Sequence, residues 1–343
     1  MEIVNISLPA TNKFATGYNE GEKNVLQYFH YDYCSEDGYK QRVEELSARA
    51  FMRDELADHI ESFMKPFPRT SEVGKSLEKL RRKNSAVVIG GQQAGILTGP
   101  LYTIHKIISI ISLAKQKEQE LQIPVVPIFW IAGEDHDYAE VNHIFVENEG
   151  QMEKWVYPEK IADKRMVTDC PLNEEVFIPW VEDLMRAFGE TDYSNEVLDF
   201  LKKAARETKT FVEFFSYIIM ELFKEHGLLI VDSGNEALRK LEKKYFKKLI
   251  EQAPIITNAV RNQQEQLKQD GFPNMLQIGE NSANLFFYNK REFERILLDY
   301  DREKNSFIGK NGSFSISFEK LLQLAEDEPE TLSNNVVTRP IMQ

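Results

Sequence analysis

The sequence has few cysteines and no long apolar run. Cysteine occurs only at Cys34 and Cys170, far apart and outside any CxxC pair, so neither a disulfide scaffold nor a cysteine-based zinc site is expected. The longest apolar candidate, IISIISLA at 107–114, is much shorter than the roughly 18 residues that a spanning helix needs. The first residues, MEIVNISLPATNKF, lack the charged and then apolar pattern of a secretory leader. These absences predict a soluble cytoplasmic protein with no membrane partner.

An excess of positive charge is also absent. The 343 residues include 42 Lys and Arg against 55 Asp and Glu, a net charge of −13. Nucleic-acid-binding surfaces are normally basic, so no nucleic-acid partner is expected. The basic stretch at 243–248 is interpreted as a solvated helix face. The length and a hydrophobic content of 42% suffice for one large domain or two of ordinary size.

The chain repeats one order of elements: apolar strand, polar turn, helix. Ala86 to Ile89 is predicted as a buried strand that ends at two glycines. A helix to about Gln119 follows, with Thr98 as its N-cap and Pro100 in its first turn. VVPIFWIAGED then begins a second buried strand, and Leu229 to Val231 is a third. This order predicts an α/β fold with a parallel sheet.

Other stretches lack this order. The prolines and alternation of 144–180 predict an inserted β segment, and 274–321 is predicted to form hairpins. NVVTRP, near the end of the chain, resembles the start of one more core strand. The predicted segments are a helical region at 1–84, the core at 85–143, an insertion at 144–205, the core at 206–260, a β-rich insertion at 261–330, and a truncated further core strand at 331–343.

Polar clusters follow the predicted strands, at the sheet edge where ligands bind in open parallel sheets. The first is GGQQAG, with Gly90, Gly91, Gln92, Gln93 and Gly95. The glycines permit close backbone approach, and the glutamines offer donors and acceptors beside a helix N-terminus that favours anions. The turn lacks both the phosphate-loop lysine and the GxGxxG spacing. It is therefore either a ligand site, extended by Tyr102 and His105, or a tight solvated turn.

The second cluster, GEDHD, places Glu134, Asp135 and Asp137 around His136. Carboxylates this close raise one another's pKa unless a cation or ligand is present. Three roles fit: His136 as a general base, the acids as ligands of a divalent metal, or the acids as partners of a substrate ammonium group. A solvated acidic loop is the alternative. No HxH or HExxH spacing supports zinc.

The third cluster, DSGNE, begins at Asp232. Asp232 could bind a ribose or sugar hydroxyl, whereas a helix cap by Ser233 or Asn235 explains the same residues structurally. No GxSxG elbow or serine-based triad is present, and neither cysteine has a histidine near it in sequence.

Three stretches closely resemble the BshC family, the cysteine-adding enzymes of bacillithiol biosynthesis. They are GGQQAGILTGPLYTIHK, PVVPIFWIAGEDHDYAEVNH and VVTRPIMQ. The resemblance covers the whole chain. It implies a Rossmann-like core with connecting insertions reminiscent of class I aminoacyl-tRNA synthetases. It also implies a C-terminal coiled coil that makes the family dimeric. This coiled coil is absent from the sequence, so the homodimer is not expected here.

The resemblance further implies that the protein joins L-cysteine to glucosaminyl-malate. Such a ligase must activate a carboxylate, so ATP and Mg²⁺ are the expected cofactors, with the metal ligands unassigned. The catalytic candidates are His136, Asp135 and Asp137. The substrate- or nucleotide-binding candidates are Gly90, Gly91, Gln92, Gln93, Gly95, Thr98, Tyr102, His105, Glu134, Asp232 and Arg339, the last from a matching family motif. Two alternatives stay open: a non-catalytic remnant that binds a nucleotide or sugar acid, and a sugar-nucleotide transferase.

Overall fold

A computed structural model of the protein describes residues 12–148, 150–310, 312 and 314–339. The α-helices are α1 (Lys13–Glu20), α2 (Lys23–Leu26), α3 (Glu36–Ser47), α4 (Arg53–Met64), α5 (Ser71–Arg81), α6 (Tyr102–Leu121), α7 (Tyr138–Val141), α8 (Glu174–Phe188), α9 (Ser194–Glu207), α10 (Phe211–Phe223), α11 (Glu236–Glu251), α12 (Ala253–Gln269) and α13 (Phe318–Asp327). The strands are β1 (Ala86–Gln92), β2 (Val125–Ile131), β3 (His143–Asn148), β4 (Gln151–Val156), β5 (Leu229–Asp232), β6 (Ser282–Asn289), β7 (Glu294–Asp301), β8 (Ser306–Gly309), β9 (Ser315–Ser317) and β10 (Leu332–Asn334). In the described ranges, no helix has the length and apolar character needed to cross a membrane.

The chain forms two compact units. The first contains the described residues up to Ala50 together with Gln252–Ser282, and the second contains Phe51–Glu251 and the described residues from Ala283 onward. In the first unit, the ring edge of Phe14 packs on Phe272 with a centroid distance of 5.1 Å. The segmentation predicted from the sequence has no boundary at residue 50, and it stays a prediction.

A three-stranded parallel sheet lies at the centre of the second unit, in the order β1-β2-β5. The central strand β2 is buried along its whole length, as its unbroken apolar sequence predicts. Pro127 interrupts that strand without breaking the sheet. It lies one residue before the pairing with β5 begins at Ile128. The pairing with β5 therefore does not require an N–H group from Pro127. The predicted α/β fold with a parallel core is confirmed.

Helices cover the sheet by close contacts at small and aromatic residues. Helix α6 packs on β1 and β2, and a Cβ at Gly90 would lie 2.9 Å from Cδ1 of Ile110. On α10, Phe215 stacks on Phe129 of β2 at 6.0 Å between centroids. Helices α4 and α5 also contact the sheet. A glycine at position 90 therefore lets α6 approach the strand that leads to the first polar cluster.

The turn after β1 differs from the sequence prediction. Strand β1 continues through Gly90 and Gly91 to Gln92, because these residues pair with β2. A 3₁₀ turn at Ile96–Thr98 follows, and α6 begins only at Tyr102. Thr98 has a φ of 75° and is not the helix N-cap, so that prediction was wrong. The extra turn fits because Gly95 and Gly99 pack together, where a Cβ on Gly95 would lie 2.7 Å from Gly99 Cα.

The predicted β insertion at 144–180 is only partly strand. Strands β3 and β4 form an antiparallel hairpin. The stretch from Val167 onward instead forms a 3₁₀ turn and then α8, despite Pro179 within that helix. Its buried residues recur at helical spacing, at Phe177, Trp180, Val181 and Leu184. Asn173 caps the helix by accepting a hydrogen bond from the Glu175 N–H at 3.0 Å.

A second sheet has the order β10-β6-β7-β8-β9. It contains the β-rich stretch that the sequence predicts, although α12 and α13 occupy the two ends of the predicted 261–330 segment. The last strand, Leu332–Asn334, pairs antiparallel with β6 in this sheet and does not extend the parallel core. Residues 336–338 form a turn, and 340–343 lie outside the described residues. The further core strand predicted at NVVTRP is therefore not found in 335–339.

Candidate functional site

The polar clusters meet at the carboxyl end of the parallel sheet. Just beyond β2, the Ala132 N–H donates to the carbonyl of Gln92 at 2.9 Å. On the other side, the Ser233 N–H donates to the carbonyl of Ile131 at 2.9 Å. These bonds continue the strand pairing past the strand ends, so the three predicted clusters begin side by side.

Gln93 joins the first cluster to the second. Its side-chain Nε2 donates to Asp135 Oδ2 at 2.8 Å and to Glu140 Oε2 at 2.5 Å. Burial raises the pKa of Asp135, but the Gln93 hydrogen bond and the nearby Arg295 charge outweigh it and place the pKa below its usual value. Asp135 is therefore ionised at neutral pH and offers a fixed negative charge at the strand end.

His136 lies between Asp135 and Arg295. Its main-chain N–H donates to Asp135 Oδ1 at 2.8 Å, and its ring Nδ1 is 3.3 Å from Arg295 Nη1. Burial and the Arg295 charge lower its pKa, while the Asp135 charge opposes them. About one third of the His136 side chain is exposed. The imidazole is thus neutral near pH 7 and still reachable from solvent, whereas Asp137 beside it is exposed.

Arg295 of β7 is a site residue that the sequence analysis missed. It is buried, with Nε donating to Ser333 Oγ at 2.9 Å and Nη2 donating to the Asn334 carbonyl at 2.7 Å. Burial lowers its pKa to about 10, which leaves it charged at neutral pH. No motif marks it, because its partner His136 lies 159 residues away in the sequence.

Glu134 points into a buried ion cluster. Its Oε2 accepts hydrogen bonds from Arg239 Nη2 at 2.8 Å and from Ser333 Oγ at 2.9 Å. Arg239 also contacts Glu242 at 3.3 Å, and burial raises the pKa of Glu242 to about 7. The carboxylate of Glu134 is fully buried, so it does not face solvent.

Asp232 is buried at the end of β5. It accepts hydrogen bonds from Thr168 Oγ1 at 2.6 Å and from the Gly234 N–H at 2.9 Å. Burial raises its pKa to about 6. Asn235 is the side chain that caps α11, accepting from the Ala237 N–H at 2.9 Å. These contacts favour the structural alternative for this cluster over a sugar-binding role for Asp232.

Gln92 belongs to a separate polar group on the α6 side. Its Nε2 donates to Tyr102 Oη at 3.1 Å, and its Oε1 accepts from Lys106 Nζ at 2.9 Å. Lys106 also donates to the Gly91 carbonyl at 3.1 Å. The ammonium group has three donors, and these contacts use two of them. Lys106, which the sequence analysis did not select, supplies a cation beside the first turn, while His105 is exposed.

The remaining predicted residues lie around these groups. Gly95 and Thr98 shape the turn after β1. Arg339 is half-buried, its main-chain N–H donates to the Asn335 carbonyl at 2.9 Å, and its charge contributes to the lowered pKa of Arg295. Neighbouring Thr338 donates to the Asn284 carbonyl at 3.1 Å. Arg339 thus stands on the Arg295 side of the site.

A metal-binding group is not found within the described ranges: no three His, Cys, Asp or Glu side chains are placed to hold an ion. The carboxylates that converge on Gln93 are Asp135 and Glu140. Mg²⁺ requires octahedral oxygen coordination, so these side chains alone do not fit a dedicated Mg²⁺ site. The Lys106, Gln92 and Tyr102 group is better suited to an anion.

Comparison with known proteins identifies the family. Residues 1–343 match the family described as "Bacillithiol biosynthesis BshC, N-terminal Rossmann-like domain". Relatives described as "Putative cysteine ligase BshC" include those of Geobacillus thermodenitrificans (strain NG80-2), 44% identical, and Geobacillus sp. (strain WCH70), 46% identical. Each match covers 100% of this chain and 63% of the relative. The chain spans somewhat less than two thirds of these relatives' length, and it belongs to the BshC family through its N-terminal Rossmann-like domain.

Proposed function

We propose that this chain carries the substrate site of a ligase that joins L-cysteine to glucosaminyl-malate and so forms bacillithiol. Its relatives' description as cysteine ligases and the match to a bacillithiol biosynthesis family support the proposal. Both substrates are small and polar. The observation that carries the proposal is the half-buried Gln93, Asp135 and His136 assembly at the carboxyl ends of β1 and β2. That sheet edge is where α/β folds bind small ligands.

Asp135 and its neighbours are suited to the amine substrate. The glucosamine part of glucosaminyl-malate carries the amine that accepts the cysteinyl group. Its ammonium form must lose a proton before the nitrogen can form an amide with the cysteine carboxyl group. Asp135 is ionised, held by Gln93, and part of its side chain is open to solvent. We assign Asp135 and the exposed Asp137 to the ammonium group and its proton, and His136 to orienting the substrate. Each contact would act over hydrogen-bond distance.

The Lys106 group is suited to an anionic part of a ligand. Amide formation from a free carboxylate is uphill, and ATP, when bound, would supply the activation. Lys106, Gln92 and Tyr102 place a cation, an amide and a hydroxyl beside the open edge of β1. A phosphate or the sugar acid would find donors there. We assign this group, with Gly90, Gly91 and Gln93, to that ligand. Mg²⁺ would need ligands from the phosphates and water, because the part of the chain that the structure describes does not supply a full set.

Two broader properties belong to the same proposal. A biosynthetic ligase of this family acts in the cytoplasm. A homodimer is the expected assembly where the family's C-terminal coiled coil is present. Chromatography of this chain beside a full-length relative would test the assembly directly.

The test is bacillithiol formation in cells. The 343-residue chain is expressed in a host that makes glucosaminyl-malate but lacks the cysteine-adding step, and the thiol is measured by mass spectrometry. Thiol formation that is lost in Asp135→Asn supports the proposal. If folded chain yields no thiol while a full-length relative does, the ligase assignment fails for this chain. Retention of activity in His136→Ala would remove His136 from the site. Binding of a nucleotide sugar without cysteine would favour the transferase alternative.

A further inference from the structure

Arg295 is held rigidly by the second sheet. Its Nε and Nη2 donate to Ser333 and Asn334, and its guanidinium lies over the Phe286 ring at 3.7 Å. The Ser333 hydroxyl in turn donates a hydrogen bond to Glu134, whose charge Arg239 balances. The third guanidinium nitrogen, Nη1, lies 3.3 Å from His136 Nδ1. The position of Arg295 is therefore set by contacts that do not involve His136.

The contact fixes the proton on the histidine ring. A guanidinium group has only N–H donors and no acceptor, so the ring atom that meets it must be an unprotonated nitrogen. With Nδ1 accepting, the proton of a neutral imidazole is on Nε2. Among the described residues, no hydrogen-bond partner of His136 Nε2 is found. The arginine thus determines which hydrogen-bonding group the ring offers to a ligand.

The surrounding charges are consistent with this tautomer. The groups whose charges act on the ring are Arg295, Lys164, Asp135 and Asp137. Asp135 Oδ1 lies 3.9 Å from Nδ1 and accepts the main-chain N–H of His136 instead. In a catalytic histidine–carboxylate pair, by contrast, the carboxylate accepts the Nδ1 proton and leaves Nε2 free as the base. Arg295 occupies that place here and reverses the roles of the two nitrogens.

We propose that Arg295 is a positioning residue that holds His136 as a neutral Nε2–H donor, aimed at a negatively charged oxygen of the substrate. The oxygen belongs to a carboxylate or to the oxyanion that develops when an amine adds to an activated carbonyl carbon. His136 keeps its proton throughout and is not the general base. The proposal deepens the proposed function and rests on this cleft being the substrate site.

The tautomer can be measured without any activity. Long-range ¹H–¹⁵N correlation on the folded chain with ¹⁵N-labelled histidine distinguishes protonated from unprotonated ring nitrogens. The set of ring signals that disappears in the spectrum of His136→Gln is assigned to His136. We expect protonated Nε2 and unprotonated Nδ1 from pH 7 to pH 8 in the wild-type chain. A ring with protonated Nδ1, or a cationic ring at pH 7, would overturn the proposal.

Variants test the role of the arginine. Arg295→Met removes the donor at similar volume, and we expect the fixed tautomer to give way to a mixture with a higher His136 pKa. Arg291→Met, at an exposed position before the same strand, is the matched control and should leave the ring unchanged. A wild-type tautomer pattern in folded Arg295→Met would contradict the proposal. If that variant does not fold, the tautomer seen in the wild-type spectrum still supports or contradicts the proposal.

Activity separates a donor from a base. Glutamine can donate a hydrogen bond but cannot act as a base at neutral pH, so His136→Gln should form product about tenfold faster than His136→Ala. Equal loss in both variants, with a pH profile that requires deprotonated His136, would assign the residue as the base. If the tautomer is as expected but no chain forms the thiol, the proposed function fails. The fixed tautomer of His136 then stands, and its role toward a substrate oxygen falls with the proposed function.

Discussion

Gln93 Nε2 and Asp135 Oδ2 are 2.8 Å apart, and this hydrogen bond joins the segments that follow two adjacent parallel strands. The same nitrogen donates to Glu140, so one amide separates two carboxylates. The contact exists because β1 and β2 run parallel in register up to Gln92 and Ile131. Gln93 therefore has an electrostatic role, since it stabilises the ionised form of Asp135.

Replacing Gln93 with Glu tests that role. A third carboxylate would stand between Asp135 and Glu140, and like charges this close raise one another's pKa. We expect the Asp135 pKa to rise and bacillithiol formation at neutral pH to fall about tenfold or more, since the variant loses a hydrogen bond to a charged group, worth about 1.5–3 kcal/mol. The control is Gln119→Glu at an exposed position of α6, which should leave product formation unchanged. A Gln93→Glu variant as active as the control would exclude this role.

Gly133 gives a prediction about stability. A Cβ at this position would lie 2.0 Å from Asp232 Oδ1 and 3.2 Å from Val212 Cγ2, both in the interior. Gly133→Ala should therefore lower the free energy of unfolding by about 1–3 kcal/mol, as overpacking does. Gly74→Ala is the control, because it lies in α5 with no atom within 4 Å of the new Cβ. That change should raise stability by up to about 1 kcal/mol. Urea unfolding measures the free energy of unfolding of each variant. Equal changes in the two variants would contradict the packing argument.

The parallel core could be predicted from the sequence because its strands are apolar and end at glycines or acids. In such a sheet, polar residues after adjacent strands must meet, which is why the clusters that contain Gln93 and Asp135 could be predicted to lie at one edge. The α8 stretch was misassigned because its prolines were taken as marks of irregular β structure. Its apolar residues in fact follow the helical period from Phe177 to Leu184.

Arg295 could not be predicted for a different reason. It belongs to a strand of the second sheet, and its partners Ser333 and His136 are brought to it by tertiary folding alone. The charged and apolar residues next to it in the sequence do not distinguish it from a surface arginine. Arg239 presents the same difficulty, since its helix has many charged residues and only the folded chain shows which one is buried.

The buried cation Arg239 leads to a prediction about the ion cluster. Arg239→Met would leave Glu134 and Glu242 buried without their common partner, and breaking a buried pair in this way costs about 3–5 kcal/mol. Arg186→Met is the control, because the Arg186 side chain is mostly exposed and its pairing with Asp183 contributes little. Urea unfolding should show a much lower free energy of unfolding for Arg239→Met than for Arg186→Met.

A second substitution distinguishes lost charge from lost packing. Adding Glu134→Gln to Arg239→Met removes one of the uncompensated carboxylates, so the double variant should recover part of the lost stability. No recovery would mean that packing of the arginine, not its charge, is what the cluster requires.

The raised pKa of Asp232 predicts how the free energy of unfolding depends on pH. Its pKa is raised to about 6 by burial, against 3.8 for an unperturbed aspartate. Between about pH 4 and pH 6 the folded chain therefore keeps a proton on Asp232 that the unfolded chain has released. The stabilising contribution is complete below about pH 4 and is lost as pH rises through 6, a change of about 3 kcal/mol. The free energy of unfolding should fall with rising pH across this window.

Asp232→Asn isolates this contribution because the amide does not ionise. Its oxygen can still accept from the Gly234 N–H, and its NH₂ group can donate to Thr168 Oγ1. The free energy of unfolding of the variant minus that of the wild-type chain should increase from pH 4 to pH 6 and then level off. Taking the difference cancels the slope from Glu242, whose pKa is also raised. A difference that stays constant over this range would show that Asp232 is already ionised in the folded chain from pH 4 to pH 6. Its hydrogen bonds would then outweigh the effect of burial on its pKa.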